Sequence, residues 1–268
     1  MTFLEKYNRA VRENDSLLCV GLDSDPARIP DCLKKEKNPI LAFNREIIEA
    51  TRDLVCAYKP NAAFYESAGR MGLEAWEALA GMAGEIPLIA DVKRGDIGNT
   101  ASHYARALFE ANSFDAATIN PLMGRDTIEP FIRYDGAYLF LLGLTSNDSA
   151  RDFEYTGGLY KKIARKTVRW NDEFGHRLGL VAGATKPGEL KRMRKIATKE
   201  VFLIPGIGTQ GGDLKRTIAA GYSGKEGNMI INVSRSVIFA GKDADFGEKA
   251  RREAMQFKDM INEARRAI

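Results

Sequence analysis

The stretch IPLIADVKRGDIGNT (Ile86–Thr100) joins a short apolar run directly to a dense group of charged side chains. Ile86–Ala90 has the length and composition of a buried strand. Side chains at positions i and i+2 of a strand share a face, so we expect Asp91 and Lys93 to point the same way. Opposite charges this close together at a strand end predict a reactive site. Similar strand-like apolar runs occur along the rest of the chain.

The strand-like run at 86–91 is one of eight apolar runs that are bounded by turn residues. The others cover residues 17–22, 54–59, 115–119, 138–144, 178–182, 201–205 and 228–233. The segments between them have helical periodicity, as at 40–52, 73–82, 101–111, 159–170 and 190–196. Eight alternations predict a single (β/α)8 TIM barrel, for which the 268 residues suffice as one domain, 1–268. An open doubly wound sheet is the alternative architecture.

Composition is typical of a soluble globular protein, with 44% hydrophobic and 28% charged residues. No run approaches the roughly 20 apolar residues that span a bilayer, so we expect no membrane insertion. Thr2 and Glu5 have the spacing of a capping box, which predicts an N-terminal helix rather than a signal peptide. The three cysteines lack metal-ligand spacing, and Cys19 and Cys56 lie in apolar runs, which favours reduced thiols in the cytoplasm.

The charge pattern gives little support to nucleic-acid binding, because 40 basic and 36 acidic residues are interspersed. The densest basic run, Lys186–Lys199, carries helical periodicity through Leu190, Met193 and Ile196. We therefore expect a solvated helix face there, with an RNA-binding patch as the less favoured interpretation, and no nucleic-acid partner.

In either α/β architecture, polar residues that directly follow the strands are the functional candidates. They are Asp23, Lys59, Asp91, Asn120, Ser146, Thr185, Gln210 and Arg235. The stretch Ser146–Gly158, after the fifth run, is the longest break in the pattern and is typical of an active-site loop.

Two late segments predict a phosphate site. In IPGIGTQGGD (Ile204–Asp213), glycines allow backbone amides to approach an anion, and Gln210 can donate a hydrogen bond. Arg235 begins a helix after the eighth run. Barrel enzymes commonly hold phosphate between these two loops.

The carboxylates around Lys93 favour its charged form, because Asp91 and Asp96 flank it in sequence. An ammonium is a proton donor rather than the neutral amine that a Schiff base needs. The two aspartates could hold magnesium, but Lys59 and Lys93 would repel the ion, so we expect no metal and no cofactor. A plain surface salt-bridge cluster remains possible from the spacing alone.

These residues resemble the orotidine 5'-phosphate decarboxylase family, specifically its longer bacterial and archaeal subgroup, over essentially the whole chain. That family has a lysine after the second strand and a D-x-K-x-x-D motif after the third. The matching residues here are Lys59, Asp91, Lys93 and Asp96. The segment NPLMGRD (Asn120–Asp126) resembles a signature of the longer subgroup, with Leu122 where an aromatic residue is more frequent.

The resemblance implies a barrel enzyme that converts orotidine 5'-monophosphate to UMP without a cofactor, in the last step of de novo pyrimidine nucleotide synthesis. It implies that Lys93 protonates C6 of the pyrimidine after CO2 leaves, with Asp91 beside the departing carboxylate. Lys59 would contact the ribose and orient the array.

The same resemblance implies a homodimer in which Asp96 and Thr100 reach into the partner's site. Thr100 lies one helical turn beyond Asp96, so both side chains can point away from their own barrel mouth. The remaining implied contacts are Asp23 with a ribose hydroxyl, Ser146 with the pyrimidine edge, and Gln210 with Arg235 at the phosphate.

Two alternatives stay open at the level of sequence. A magnesium-dependent sugar-phosphate decarboxylase or hexulose-phosphate synthase shares the barrel and the D-x-K-x-x-D motif, and Lys59 is the residue that discriminates against it. A catalytically silent nucleotide- or RNA-binding protein is suggested by the basic helix around Lys191.

Overall fold

Eight parallel strands, in alternation with helices, form the core of the protein. The computed structural model describes residues 1–208, 213–224 and 227–268. The strands are β1 (Leu18–Leu22), β2 (Ala57–Pro60), β3 (Ile89–Arg94), β4 (Ala116–Ile119), β5 (Tyr138–Leu144), β6 (Leu178–Ala182), β7 (Phe202–Ile204) and β8 (Met229–Val233).

The strands make one sheet in the order β2-β1-β8-β7-β6-β5-β4-β3, with parallel pairing throughout. The two outermost strands of that order, β2 and β3, meet through the single bridges Tyr58–Leu88 and Asn61–Asp91. These bridges bring the edges together, so the predicted (β/α)8 TIM barrel is confirmed. The β2–β3 contact is the seam of the barrel.

Helices alternate with the strands, and the predicted periodic segments at 40–52, 73–82, 101–111, 159–170 and 190–196 each coincide with or overlap one of them. The helices are α1 (Phe3–Asn14), α2 (Pro39–Thr51), α3 (Ala62–Glu66), α4 (Gly69–Ala83), α5 (Gly98–Arg106), α6 (Glu129–Ile132), α7 (Ala150–Phe153), α8 (Leu159–Glu173), α9 (Pro187–Ile196), α10 (Leu214–Gly221), α11 (Arg235–Ile238) and α12 (Phe246–Arg266). In the part of the chain that the structure describes, no helix is long and apolar enough to cross a membrane.

Two strands begin later than the apolar runs predict. Leu54 is buried but ends a turn, in which its N–H donates to the Thr51 carbonyl (2.9 Å), and the first bond to β1 runs from Cys56 N–H to the Leu18 carbonyl (2.7 Å). Ile86 N–H likewise donates to the Ala83 carbonyl (3.3 Å), and Pro87 has no N–H with which to join a sheet. Strand β3 therefore starts at Ile89, and it continues through Lys93 to Arg94 rather than ending at Asp91.

Helix α1 closes the amino-terminal end of the barrel. Its capping box is present, with Thr2 N–H donating to Glu5 Oε2 (2.8 Å) and Glu5 N–H donating to Thr2 Oγ1 (3.3 Å). The ring of Phe3 stacks on Tyr138 at the start of β5, with 4.9 Å between ring centroids. The Tyr7 hydroxyl donates to the Met229 carbonyl at the start of β8 (2.9 Å). These contacts hold α1 against the starts of β5 and β8, at the end of the barrel opposite the carboxyl ends of the strands.

The basic helix α9 is only partly a solvated face, because Arg194 is 6% exposed. Its guanidinium lies over the Phe202 ring at 3.8 Å and donates to four backbone carbonyls. The acceptors are those of Gly221 (2.6 Å), Ala197 (2.8 Å), Glu200 (2.8 Å) and Asn228 (2.9 Å). Burial lowers the pKa of Arg194 to about 10, although Glu200 opposes this. This residue ties α9 and α10 to the segments that precede β7 and β8.

Replacing Arg194 by methionine should destabilise the fold strongly, because four buried carbonyls would lose their donor. We expect the Arg194→Met substitution to lower the free energy of unfolding by about 3 kcal/mol, measured by urea denaturation. Arg192 on the same helix is exposed and pairs with Glu189 (3.0 Å), so Arg192→Met is the matched control. Its effect should stay within about 0.5 kcal/mol. Equal losses in the two variants would contradict the assigned role.

Candidate active site

A cavity of about 430 Å³ opens at the carboxyl ends of the strands. Each of the eight strands, or the residues directly after it, contributes to the wall. The polar part of the wall includes Asp23, Lys59, Asn61, Asp91, Lys93, Thr118, Ser146, Asn232 and Arg235, and the apolar part includes Leu142, Val181, Leu203 and Ile207. A cavity of this size, apolar on one side and charged on the other, suits a small polar ring compound.

Three charged side chains meet on the seam of the barrel. Lys59 Nζ on β2 lies 2.6 Å from Asp91 Oδ2 on β3, and Lys93 Nζ lies 2.5 Å from Asp91 Oδ1. We call Lys59, Asp91 and Lys93 the charged triad. Lys59 is 4% exposed and Asp91 9%, whereas about half of the Lys93 side chain (49%) is exposed. The expectation that Asp91 and Lys93 point the same way is confirmed, and Lys93 is the member that faces the cavity most openly.

The electrostatics of the charged triad keep all its charges in place. Burial disfavours the charged form of Lys59, but the carboxylates of Asp91 and Asp23 outweigh it and raise the pKa of Lys59 above its ordinary value. Burial also opposes ionisation of Asp91, yet Lys59 and Lys93 together hold the pKa of Asp91 well below its ordinary range. Near neutral pH the triad therefore presents a fixed carboxylate between two cations.

Thr118, which was not among the residues predicted from sequence, completes the polar network around Asp91. Its hydroxyl lies 3.0 Å from Asp91 Oδ1 and accepts the backbone N–H groups of Val92 (3.1 Å) and Lys93 (3.0 Å). The search for polar residues after strand ends passes over Thr118 because it lies inside β4. A polar residue within a fully buried strand is the signal that points to it.

The residues predicted to bind substrate lie at separate points of the cavity wall. Asp23 follows β1, and its Oδ1 atom is buried and accepts no hydrogen bond from the residues that the structure describes. Ser146 and Arg235 line the same cavity, after β5 and β8 respectively. Gln210 lies outside the described residues. The structure thus places Asp23, Ser146 and Arg235 on the wall of the same cavity as the charged triad.

Asp96 and Thr100 lie away from this cavity. Asp96 Oδ1 accepts the N–H of Ile97 (2.8 Å), and Thr100 is exposed on α5. Neither belongs to the cavity wall among the described residues. One chain therefore assembles the Lys59-Asp91-Lys93 part of the expected array, and Asp96 of the same chain is not part of that cavity wall.

The segment after β5 is folded against the strand end. The Glu154 carboxylate accepts the N–H (2.7 Å) and the hydroxyl (2.8 Å) of Thr145. Between these residues lie Ser146 and Asn147, which are both on the cavity wall. The predicted active-site loop is thus adjacent to the cavity, and its closure over a ligand stays a prediction.

Three other residues singled out in the sequence have structural contacts. Thr185 Oγ1 donates to the Ser146 carbonyl (3.0 Å) and so supports the β5 loop. Asn120 N–H donates to the Arg94 carbonyl (2.7 Å), while its side chain accepts the N–H of Leu122 (3.1 Å). Arg125 pairs with Glu129 and Glu173 on the outside of the barrel. These residues shape the loops that carry the site.

The described ranges contain no group of three or more His, Cys, Asp or Glu side chains that could bind a metal ion. Cys19, below the charged triad, is buried, and burial raises the pKa of its thiol to about 12. The ionised groups available to a ligand near neutral pH are thus lysine, aspartate and arginine side chains.

Comparison with known proteins identifies the family. The family model for "Orotidine 5'-phosphate decarboxylase / HUMPS family" matches residues 16–250. The chain belongs to this family. Proteins named orotidine 5'-phosphate decarboxylase match along the full chain: the one from Roseiflexus castenholzii is 44% identical, covering 100% of both chains, and one from Dehalococcoides mccartyi is 46% identical, covering 99% of both.

Solved structures from the family have the same fold. A crystal structure of a putative orotidine-monophosphate decarboxylase from Toxoplasma gondii superposes with a TM-score of 0.91 at 34% identity, covering 99% of this chain and 98% of that one. The orotidine monophosphate decarboxylase of Leishmania donovani gives a TM-score of 0.83 at 35% identity, covering 99% of both chains. The family's barrel is therefore present from end to end in this chain.

The coupling of Lys59 to Asp91 should be visible in the pH dependence of stability. A carboxyl group whose folded pKa is depressed stabilises the fold above its unfolded pKa of about 3.9, and this contribution is lost as the pH falls. We expect Asp91→Asn to be about 3 kcal/mol less stable than the wild type at pH 7, because Lys59 would be buried without this partner. Below about pH 4 the difference in the free energy of unfolding between Asp91→Asn and the wild type should decrease by about 1 kcal/mol per pH unit.

Urea denaturation between pH 7 and pH 3 measures this. Asp31→Asn is the matched control, since Asp31 and Lys34 form an ion pair of the same length (2.6 Å) on the exposed surface. That variant should differ from the wild type by less than about 0.5 kcal/mol at every pH. A gap for Asp91→Asn that does not depend on pH would show that its charge is not what stabilises the seam.

Proposed function

We propose that this protein decarboxylates orotidine 5'-phosphate to UMP, with the Lys93 ammonium as proton donor and without a cofactor. The observation that carries the proposal is the charged triad. In it, the Lys93 ammonium lies 2.5 Å from the buried Asp91 carboxylate, on the wall of a cavity to which all eight strands contribute. Relatives along the whole chain bear the name of this activity.

The triad is suited to a reaction that creates negative charge on carbon. With the substrate carboxylate next to Asp91, repulsion between the two anions would fall as neutral CO2 leaves. The electron pair of the broken C–C bond stays on C6, where the ammonium of Lys93 stabilises it. Lys93 then transfers a proton to C6, which gives UMP, and the resulting amine regains its proton from solvent.

The rest of the cavity offers partners for the remainder of the nucleotide. Asp23 Oδ1 is a buried acceptor that the described residues leave unused, which fits a ribose hydroxyl as donor. Arg235 lies on the cavity wall directly after β8, which only β1 separates from β2, and it supplies a positive charge for the phosphate. We place Ser146 at the pyrimidine edge and Gln210 with Arg235 at the phosphate, following the family resemblance.

Binding energy from the phosphate can be used to organise the reacting end. Because the phosphate contacts do not change during the reaction, they serve the transition state only by fixing the substrate and by holding loops closed over it. We assign this closure to the segments 146–158 and 206–212, and residues 209–212 of the second segment lie outside the described part of the chain.

We further propose that two chains form a homodimer with shared active sites. Asp96 and Thr100 are not among the described residues that line the cavity of their own chain, and Ile97 between them is 49% exposed. Transfer of Asp96 into the partner's site would place a second carboxylate beside Lys93 and complete the alternating array.

We assign this activity to one domain of residues 1–268 that acts in the cytoplasm on a small nucleotide. The last helix supports the single domain, since Arg251 of α12 pairs with Asp53 (2.6 Å) and Asn262 donates to the Asp15 carbonyl (2.7 Å). RNA as a ligand gains no support from α9, because Arg194 is engaged with backbone carbonyls inside the protein.

The direct test follows loss of orotate absorbance with orotidine 5'-phosphate, in the absence of added metal. Wild-type protein should decarboxylate it, and Lys93→Ala should lower kcat by at least about 10³-fold, since the proton donor is removed. The exposed Lys191→Ala is the control and should be fully active. An inactive wild type would overturn the assignment. Loss of activity after exhaustive chelation, with recovery by Mg²⁺, would instead favour the hexulose-phosphate synthase branch of the family.

A hybrid dimer tests the shared site. Lys93→Ala and Asp96→Asn homodimers should both be nearly inactive, because each lacks one part of both sites. In a hybrid of the two, one site has both mutations and the other has neither, so about half the wild-type activity should return. Co-expression with two different affinity tags allows the hybrid to be purified. Failure of the pure hybrid to regain activity would show that Asp96 acts within its own chain.

A further inference from the structure

Strands β3 and β4 separate at the charged triad. Their register pairs Ile89 with Ala116 and Ala90 with Ala117, and it resumes only with Arg94 and Ile119. Three residues of β3, positions 91–93, therefore lie opposite the single residue Thr118. An insertion of this kind breaks the regular ladder and leaves backbone N–H groups that need other acceptors.

The hydroxyl of Thr118 supplies those bonds. It accepts from Val92 N–H (3.1 Å) and Lys93 N–H (3.0 Å), and it lies 3.0 Å from Asp91 Oδ1, to which it can donate. A hydroxyl has one hydrogen to donate and two lone pairs, so these three bonds use its full capacity. Thr118 is 2% exposed, which leaves bulk water little access to these groups.

The hydrogen bonds of Thr118 act on both the backbone and the side-chain end of Lys93, the proposed proton donor. Lys93 has a φ angle of +46°, a left-handed conformation that a residue with a β-carbon adopts only when its surroundings hold it there. Thr118 fixes the backbone of Lys93 through its amide. The same hydroxyl fixes the carboxylate that accepts Lys93 Nζ at 2.5 Å.

We propose that Thr118 is a positioning residue for proton transfer, which it serves by holding the Lys93 backbone and the Asp91 carboxylate in register. This inference rests on the proposed decarboxylation. Proton transfer to carbon needs the ammonium at a defined place, and a displacement of about 1 Å can cost about 100-fold in rate. Thr118 acts through its two neighbours and takes no proton itself.

Valine is the informative replacement because it has the shape of threonine without the hydroxyl. In Thr118→Val, we expect kcat for orotidine 5'-phosphate to fall roughly 10- to 100-fold with KM changed by less than about threefold. Thr118→Ser retains the hydroxyl and should recover most of the rate. Thr118→Ala, which adds no apolar bulk beside the amides, should lose rate like valine and serves if the valine variant folds poorly.

Thr167→Val controls for the loss of a buried hydroxyl elsewhere. Thr167 is also fully buried, and its hydroxyl donates to the Ile163 carbonyl (3.0 Å) within α8, away from the cavity wall. This variant should keep the wild-type kcat. An equal loss of kcat in Thr167→Val and Thr118→Val would overturn the inference, because stability alone would then explain both.

Amide hydrogen exchange provides a readout that needs no turnover. The Val92 and Lys93 amides should exchange faster in Thr118→Val than in Thr118→Ser. An active wild type with unchanged kcat in Thr118→Val would refute the positioning role while leaving the proposed function intact. A rise in KM alone would refute it too, since it would make Thr118 a substrate contact. An inactive wild type would instead refute the proposed function.

Discussion

The ion pair between Lys59 and Asp91 is the interaction on which the rest of the site depends. It crosses the seam of the barrel, where β2 and β3 share only two single bridges instead of a continuous ladder. Two buried charges are costly unless each has a partner of opposite sign. The pair meets that condition and at the same time fixes the position of the carboxylate against which Lys93 is held.

The two ends of the barrel divide stability from chemistry. At the amino-terminal end, α1 and Arg194 satisfy backbone groups and close the core. At the carboxyl end, the structure has a buried Asp23 oxygen that the described residues leave without a donor, a lysine with a left-handed backbone and an open cavity. Features of this second kind lower stability and persist at sites where a ligand can repay them.

The eight strands and the shared face of Asp91 and Lys93 could be predicted because each depends on local pattern. Eight apolar runs specify eight strands, and the spacing of Asp91 and Lys93 specifies a shared face. The contribution of Thr118 could not be predicted, since it depends on a register shift between two strands, which no single segment encodes. The predicted start of β3 at residue 86 is also wrong, because Ile86 N–H bonds to the Ala83 carbonyl and Pro87 has no N–H to donate. The destination of Asp96 depends on a second chain, so it stays a prediction.

The left-handed backbone conformation of Lys93 affects which substitutions at position 93 are favourable for folding. Glycine is the residue that adopts a positive φ without a steric penalty, so the backbone at position 93 would be more relaxed with no side chain at all. Selection for folding alone would therefore favour losing this lysine. Its presence at a position where the backbone prefers glycine is a signature of selection for what the ammonium does.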